Sequence, residues 1–560
     1  MNIQRPESIM VLFVVWFASM SPVAAGTDEM IPKNVQGVVQ TRVANRYAPS
    51  IVIGVMTADG ESYYCEGSTR WIDGDPVTPD TVYEIGSITK AFTGTLLADM
   101  VTRGEVKLTD PIEKYFPEGK SAPKRGDKVI TLANLAEHSS GLPRVPDNMT
   151  YDDPDDPYAS YTAERMFDFL DGCELERDIG DKYEYSNLGM GLLGELLARR
   201  AGKSYEALLT ERILEPLNMP STRITLTDNM KKRLAEGHSG AQDAKRWNVA
   251  ALAGAGDLDS SARDMLHFAG AFLNAENGPL SEAMKLATTP RRDAGSSDMK
   301  IGLGWHIRMH NDNAIIWHNG GTGGFRSFCG YAPHRGIAVV VLTNTSMPGV
   351  DDIGFHLLEP EIPIDDGWNR TTVKLNDEQL TRLEGRYELM PGFSLDMKAL
   401  NGFLTVHPTG QPMFTLHATD PLEFFLVAPE AGATFELDDK GKATGLVWHQ
   451  HGMDQPGPRT GDVPAEKKRE RKKIDPAILA RYVGKYQLLP QAIFTITLDG
   501  DQLYAQLTGQ PTMPVYAESE TRFYYEVVEA AITFERDDKG KATALVLHQG
   551  GMDQRATKTE

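Results

Sequence analysis

Ser87 and Lys90 stand three residues apart in Tyr83-Glu84-Ile85-Gly86-Ser87-Ile88-Thr89-Lys90, just ahead of an apolar run with helical spacing. On a helix that separation brings both side chains to one face, one turn apart, so an ammonium can reach the hydroxyl. A lysine near the positive end of a helix, partly withdrawn from water, should have a lowered pKa and can then take the proton of a serine near neutral pH. Backbone N–H groups at a helix start would supply one half of an oxyanion hole. Taken alone, the pattern reads more simply as a serine capping a helix. Two further segments shift that balance. In Tyr183-Glu184-Tyr185-Ser186-Asn187-Leu188-Gly189, Tyr185 and Asn187 flank a serine just before a second helical pattern. In Trp317-His318-Asn319-Gly320-Gly321-Thr322-Gly323-Gly324, small residues follow a histidine and let backbone approach a ligand closely.

Residues so far apart in the chain need rigid carriers. Ala91 to Arg103 has apolar residues at helical spacing and stops near Gly104, and Leu188 to Ala201 does the same up to Gly202. Gly336-Ile337-Ala338-Val339-Val340-Val341-Leu342 reads as a buried strand. The alternation of helical and strand-like runs over residues 30–365 predicts an α+β catalytic domain.

The order S-x-x-K, Y-x-N, H-x-G resembles the serine β-lactamase and penicillin-recognising superfamily, in particular its branch of class C β-lactamases, D-aminopeptidases, DD-peptidases and family VIII esterases. Glu137-His138-Ser139-Ser140-Gly141-Leu142-Pro143, Pro216-Leu217-Asn218-Met219 and Ser260-Ser261-Ala262-Arg263-Asp264-Met265 resemble further motifs of that branch and read as scaffold. The resemblance implies an antiparallel sheet with helices on its faces plus a helical subdomain. It makes Ser87 the acylated nucleophile, Lys90 the group that assists its deprotonation, and Tyr185 a phenolate-like base that later protonates the leaving group. Asn187 would bind the substrate amide, His318 would shape the charge around Tyr185, and Asn319 and Gly320 would line the substrate. The oxyanion hole would be the backbone N–H groups of Ser87 and Gly321. Two departures follow. Glu215-Pro216-Leu217-Asn218 is one residue short of the class A deacylation loop, so Glu215 is not read as a base. His318 replaces the lysine of class C enzymes, and losing that permanent charge argues against efficient β-lactam turnover.

Beyond residue 375 the chain repeats itself. Gly410-Gln411-Pro412, Thr434-Phe435-Glu436 and Asp438-Asp439-Lys440-Gly441-Lys442-Ala443-Thr444 recur 99 residues later, without a gap. Short alternating runs such as Phe494-Thr495-Ile496-Thr497-Leu498, followed by Asp499-Gly500-Asp501, predict antiparallel hairpins. Closing such a sheet removes its edges, so residues 375–460 and 477–560 are each expected to form a lipocalin-like β-barrel. The intervening stretch 461–476, with Lys467-Lys468-Arg469-Glu470-Arg471-Lys472-Lys473, reads as a solvated linker rather than a nucleic-acid patch. His449 and His451 suggest a metal pair, but the second repeat has His548 and Gly550 there, so strand alternation is the better reading.

The 560 residues carry a net charge of -21, which disfavours nucleic acid and anionic membranes as partners. Three cysteines, Cys65, Cys173 and Cys329, are too few for a disulfide framework or a cysteine-rich metal site. Arg5, an apolar run from Ile9 to Phe17 and Ala24-Ala25 before Gly26 predict a signal peptide over residues 1–25, hence a periplasmic or secreted protein with no membrane span once cleaved. No cofactor and no metal are expected. Together these readings predict an exported serine hydrolase that cleaves amide bonds of small peptides, with a homodimer compatible with the sequence; the resemblance implies peptides with D-residues or other unusual residues, and linearised microcystin as the substrate of another peptidase of that superfamily, which no motif here selects. The alternatives are an esterase or weak β-lactamase with the same nucleophile, and a slowly acylating penicillin-binding sensor or a non-catalytic scaffold.

Overall fold

Ile337–Thr343 is buried at every position. Successive side chains of a strand point to opposite faces, and here both faces are covered. Val339 and Val341 pack with Val35, Val39, Ile353 and Phe355 from the helices Lys33–Ala44 and Asp351–Leu358. Ala338, Val340 and Leu342 pack on the other side with Phe92, Leu266 and Phe268, from Thr89–Thr102 and Ala262–Leu273. The aromatic rings of Phe92 and Phe268 stack with centroids 3.7 Å apart.

This strand is third in an eight-stranded antiparallel sheet running Gly60–Gly67, Ser50–Thr57, Ile337–Thr343, Arg326–Ala332, Asn313–Gly321, His306–His310, Met299–Ile301 and Arg292–Asp293. The computed structural model describes residues 30–150, 152–275, 278, 280–465, 471–510, 512–526, 528, 530–549 and 552–559. The expected signal peptide and Lys467 to Glu470 of the basic run lie outside the described residues. Among the described residues, no helix is long and apolar enough to cross a membrane.

Two closed eight-stranded antiparallel barrels follow, spanning Gly385–Met390 to Met453–Gly461 and Gly484–Leu489 to Met552–Lys558. The duplication is structural as well as sequential. Tyr387 and Tyr486, fully buried, donate their hydroxyls to Leu383 and Tyr482 carbonyls at 2.7 and 2.6 Å. His449 contacts Thr434 at 2.9 Å and Asp454 at 2.7 Å, and His548 contacts Thr533 and Asp553 at 2.8 and 2.6 Å. The His449 ring is therefore part of a repeated strand pairing, while His451 occupies a turn at φ 52°.

Candidate active site

Ser87 lies in a single 3-10 turn, Gly86–Ile88, that runs into the α-helix Thr89–Thr102. The expectation that Ser87 caps this helix is not met: Ile88 is the N-cap residue, and no side chain caps either element. The Ser87 hydroxyl is committed elsewhere, accepting from Lys90 Nζ at 2.9 Å. Lys90 is fully buried and also donates to the Ala255 carbonyl at 2.6 Å. Burial, then the like charge of Arg144, hold its pKa well below the usual lysine range.

Two glycines bring the strand Asn313–Gly321 against this turn. Gly86 has φ 50°, and a Cβ there would lie 2.8 Å from the Gly321 nitrogen. A Cβ on Gly320 would collide with the Ile85 carbonyl. Without side chains at these two points, the Gly321 backbone lies beside the Ser87 turn.

Tyr185 comes from the loop before the helix Asn187–Ala201, whose N-cap Ser186 accepts from Gly189 N at 2.9 Å. Lys90 Nζ is 4.8 Å from the centre of the Tyr185 ring, and the exposed Arg144 guanidinium is 5.1 Å from it. Burial raises the Tyr185 pKa above the ordinary tyrosine range, with the Ser87 hydroxyl and Arg144 pulling the other way. The resting side chain is therefore a phenol, which differs from the expected phenolate-like base. Asn187 Nδ2 donates to Tyr158 Oη at 3.5 Å, and its Oδ1 is buried with no partner. An acceptor so placed lacks only an N–H.

Strand parity separates His318 from Asn319. His318 pairs with Cys329 and faces the catalytic helix, whereas Asn319 pairs with Phe328 on the other face. There Asn319 Nδ2 donates to Asp351 Oδ2 at 2.6 Å, so only the backbone of Asn319 lies on the side of Ser87. His318 Nδ1 lies 2.6 Å from the Asn319 carbonyl, and its Nε2 is buried without a partner. Burial first, then His306 and Lys90, hold His318 well below the usual histidine range, so the ring is neutral.

The structure adds residues that sequence reasoning missed. His306 is 4.9 Å from His318 and 6.3 Å from Tyr185, ring to ring, and meets Tyr183 Oη at 2.9 Å. Burial pushes its pKa down to about 4. His138, in the turn read as scaffold, accepts from Ser186 N at 3.1 Å and lies 4.6 Å from the Tyr185 ring. Burial, then Lys90, keep it neutral as well. A turn signal was available for His306: Asn311 and Asp312, both at positive φ, close the hairpin that pairs His306 with Trp317. The resulting arrangement is a serine hydroxyl in contact with a buried amine, roofed by a phenol that three neutral imidazoles and one cation surround. It can activate an oxygen nucleophile and return a proton to a leaving group. Among the described residues the group with metal-ligand spacing, Glu236, His238 and Asp243, lies outside this site.

Comparison with known proteins shows that residues 35–357 match the family model described as Beta-lactamase. Residues 468–559 match one described as a domain of unknown function, DUF3471. The chain is 30% identical over 365 residues to the D-alanyl-D-alanine-carboxypeptidase/endopeptidase AmpH of Escherichia coli (strain K12), across 61% of this chain and 92% of that protein. It is 27% identical over 376 residues to a beta-lactamase of the same strain, across 59% and 93%. A solved beta-lactamase/D-alanine carboxypeptidase from Yersinia pestis superposes with a TM-score of 0.52 at 27% identity, covering 58% of this chain and 97% of that one.

Proposed function

The chain belongs to the beta-lactamase family, whose model spans more than half of it, and on that premise we propose an exported serine hydrolase that cleaves amide bonds of short peptides through an acyl-enzyme on Ser87. The observation that carries this reading is the 2.9 Å contact between Ser87 Oγ and the buried Lys90 Nζ. With Lys90 as a neutral amine, the same contact lets the Ser87 hydroxyl donate its proton to Nζ as Oγ attacks the acyl carbon. The oxyanion would meet the N–H groups of Ser87 and Gly321. Tyr185, a phenol at rest, would give its proton to the departing amine and regain one from Lys90. Water would then release the acyl group. The unpartnered Asn187 Oδ1 suits a substrate N–H, and the exposed Arg144 beside Tyr185 suits a peptide carboxylate. The activity in the printed name of the Escherichia coli AmpH relative supports this substrate class, within which D-residue peptides and linearised microcystin are candidates.

The test compares peptide anilides with matched phenyl esters, and peptides with free and amidated C-termini, in the D and L series. Amide turnover should fall to background in Ser87→Ala, and by about 10²-fold in Tyr185→Phe. A serine-directed phosphonate should label Ser87 as read by mass spectrometry. Ester turnover without amide turnover would favour the esterase reading, and an unlabelled Ser87 would overturn the nucleophile assignment.

A further inference from the structure

Outside the catalytic centre, the hairpin Gly237–Ser239 and Gln242–Ala244 gathers three metal-ligating side chains. Glu236 and His238 are two apart, which on an extended backbone sets them on one face. His238 pairs across the hairpin with Asp243. One donor atom from each of the three lies within 4.8 Å of the other two.

His238 distinguishes this cluster from an ordinary acidic surface. It is 1% exposed, yet its Nε2 has no hydrogen-bond partner. Its Nδ1 makes an ion-pair contact with Asp243 Oδ1 at 3.1 Å, which leaves Nε2 as the nitrogen without a partner. A buried imidazole nitrogen without a partner is costly, and coordination of a cation removes that cost.

We propose that Glu236, His238 and Asp243 hold a zinc ion in the hairpin of the catalytic body that the first barrel rests on. One imidazole and two carboxylates are a mixed nitrogen and oxygen set suited to Zn2+, with remaining positions open to water. Ligands around zinc stand roughly 3.5 Å apart at tetrahedral geometry, so the donors must close slightly. The two carboxylates are free to do so, being 53% and 67% exposed. Glu236 is engaged by Arg70 at 3.3 Å, a solvated pair worth little.

The hairpin is held from two sides. Asp243 Oδ1 accepts from Asn401 Nδ2 of the first barrel at 2.8 Å, and Asn401 also donates to the Ala241 carbonyl at 2.9 Å. Thr415 of the same barrel accepts from Ala241 N at 2.7 Å. His238 is tied to the catalytic body, its N–H donating to the Gly324 carbonyl at 3.2 Å and its carbonyl accepting from Ser346 N at 2.8 Å. An ion shared by His238 and Asp243 would therefore tie together the two strands of this hairpin, at the point where Asn401 and Thr415 of the first barrel contact it.

The test uses the full chain, stripped with chelator and titrated with Zn2+ by calorimetry, with Mg2+ as control. About one equivalent should bind, the thermal midpoint should rise, and X-ray absorption should report a single imidazole among oxygen ligands. His238→Gln and Asp243→Asn should each weaken binding at least tenfold, and Ser87→Ala should bind as the wild type does. Because Asp243 is exposed, Asp243→Asn keeps the test valid if His238→Gln fails to fold. Absence of saturable binding, unchanged affinity in Asp243→Asn, or two or more imidazoles around the ion would overturn the site. None of these outcomes bears on the Ser87 reading.

Discussion

Burial removes the water that would stabilise the Lys90 ammonium, and Arg144 adds repulsion, so the folded pKa is depressed. The amine is neutral above that pKa, and the base-competent form is lost as pH falls through it. Tyr185 is shifted the other way and keeps its proton until above the ordinary tyrosine range. His306, down to about 4, is neutral over the working range. The acidic limb of the kcat/KM profile should thus follow Lys90. Removing a like charge raises a lysine pKa, so Arg144→Gln should move that limb to higher pH. Lys90→Arg, which cannot lose its proton, should cost about 10²-fold or more in kcat. Profiles measured on a small ester check both, and a limb unmoved in Arg144→Gln would sink the electrostatic account. Ser87, Lys90, Tyr185, Asn187 and His318 were legible because each belongs to a short contiguous motif. Arg144, His138 and His306 were not, because their roles arise from rings stacking across distant segments. The direction of the Asn319 side chain follows from strand parity: neighbours on a strand face opposite sides.

At the scale of elements, the site depends on how closely one strand approaches one turn. Gly320 permits that approach, since a Cβ there would collide with the Ile85 carbonyl, which also accepts from Ser327 Oγ at 2.8 Å. Gly320→Ala must push strand and turn apart, an overpacking change worth about 1–3 kcal/mol. The Gly321 N–H would then move relative to Ser87, so kcat should fall by more than tenfold while substrate binding changes less. Denaturant unfolding and steady-state kinetics read the two effects, and a variant with native stability and kcat would refute the role assigned to the contact. Helix limits were readable from glycine: Gly104 and Gly202 take positive φ just beyond a helix, whereas Gly336, read as part of the strand, takes positive φ in the turn ahead of Ile337. The 3-10 turn at Ser87 was not readable, because Ser87 bonds Lys90 instead of the helix backbone.

The whole molecule is organised by the duplication. Leu503, Val515 and Phe523 point into the second barrel, while their neighbours Tyr504, Tyr516 and Tyr524 point outward yet are buried at 8%, 8% and 2% exposure. Thr405, His417 and Phe425 hold the matching places in the first barrel and are also buried. Both barrels therefore cover the same outer face. In the first, His417 packs on Tyr47 at 5.1 Å and Phe425 lies 3.8 Å under Arg370. In the second, Tyr504 Oη donates to Asp152 at 3.3 Å, and Thr512 donates to the Asp147 carbonyl at 3.2 Å. The repeat was plain in the sequence, but its docking face was not, since the outward residues differ between copies. The segment held by the second barrel leads into the site: Tyr161 donates to Asn148 at 2.9 Å, and Tyr158 accepts from Asn187. Tyr504→Ala combined with Thr512→Ala removes both hydrogen bonds and leaves the barrel core untouched. Residues 144–162 should then exchange amide hydrogens faster, and KM for peptides should rise roughly threefold to tenfold, about 1 kcal/mol. Turnover of a small ester, which needs less of Asn187, should stay within about twofold, because Ser87, Lys90 and Gly321 are held by other elements. If exchange in that segment is unchanged, or ester kcat falls as far as peptide kcat/KM, the second barrel does not act through this loop.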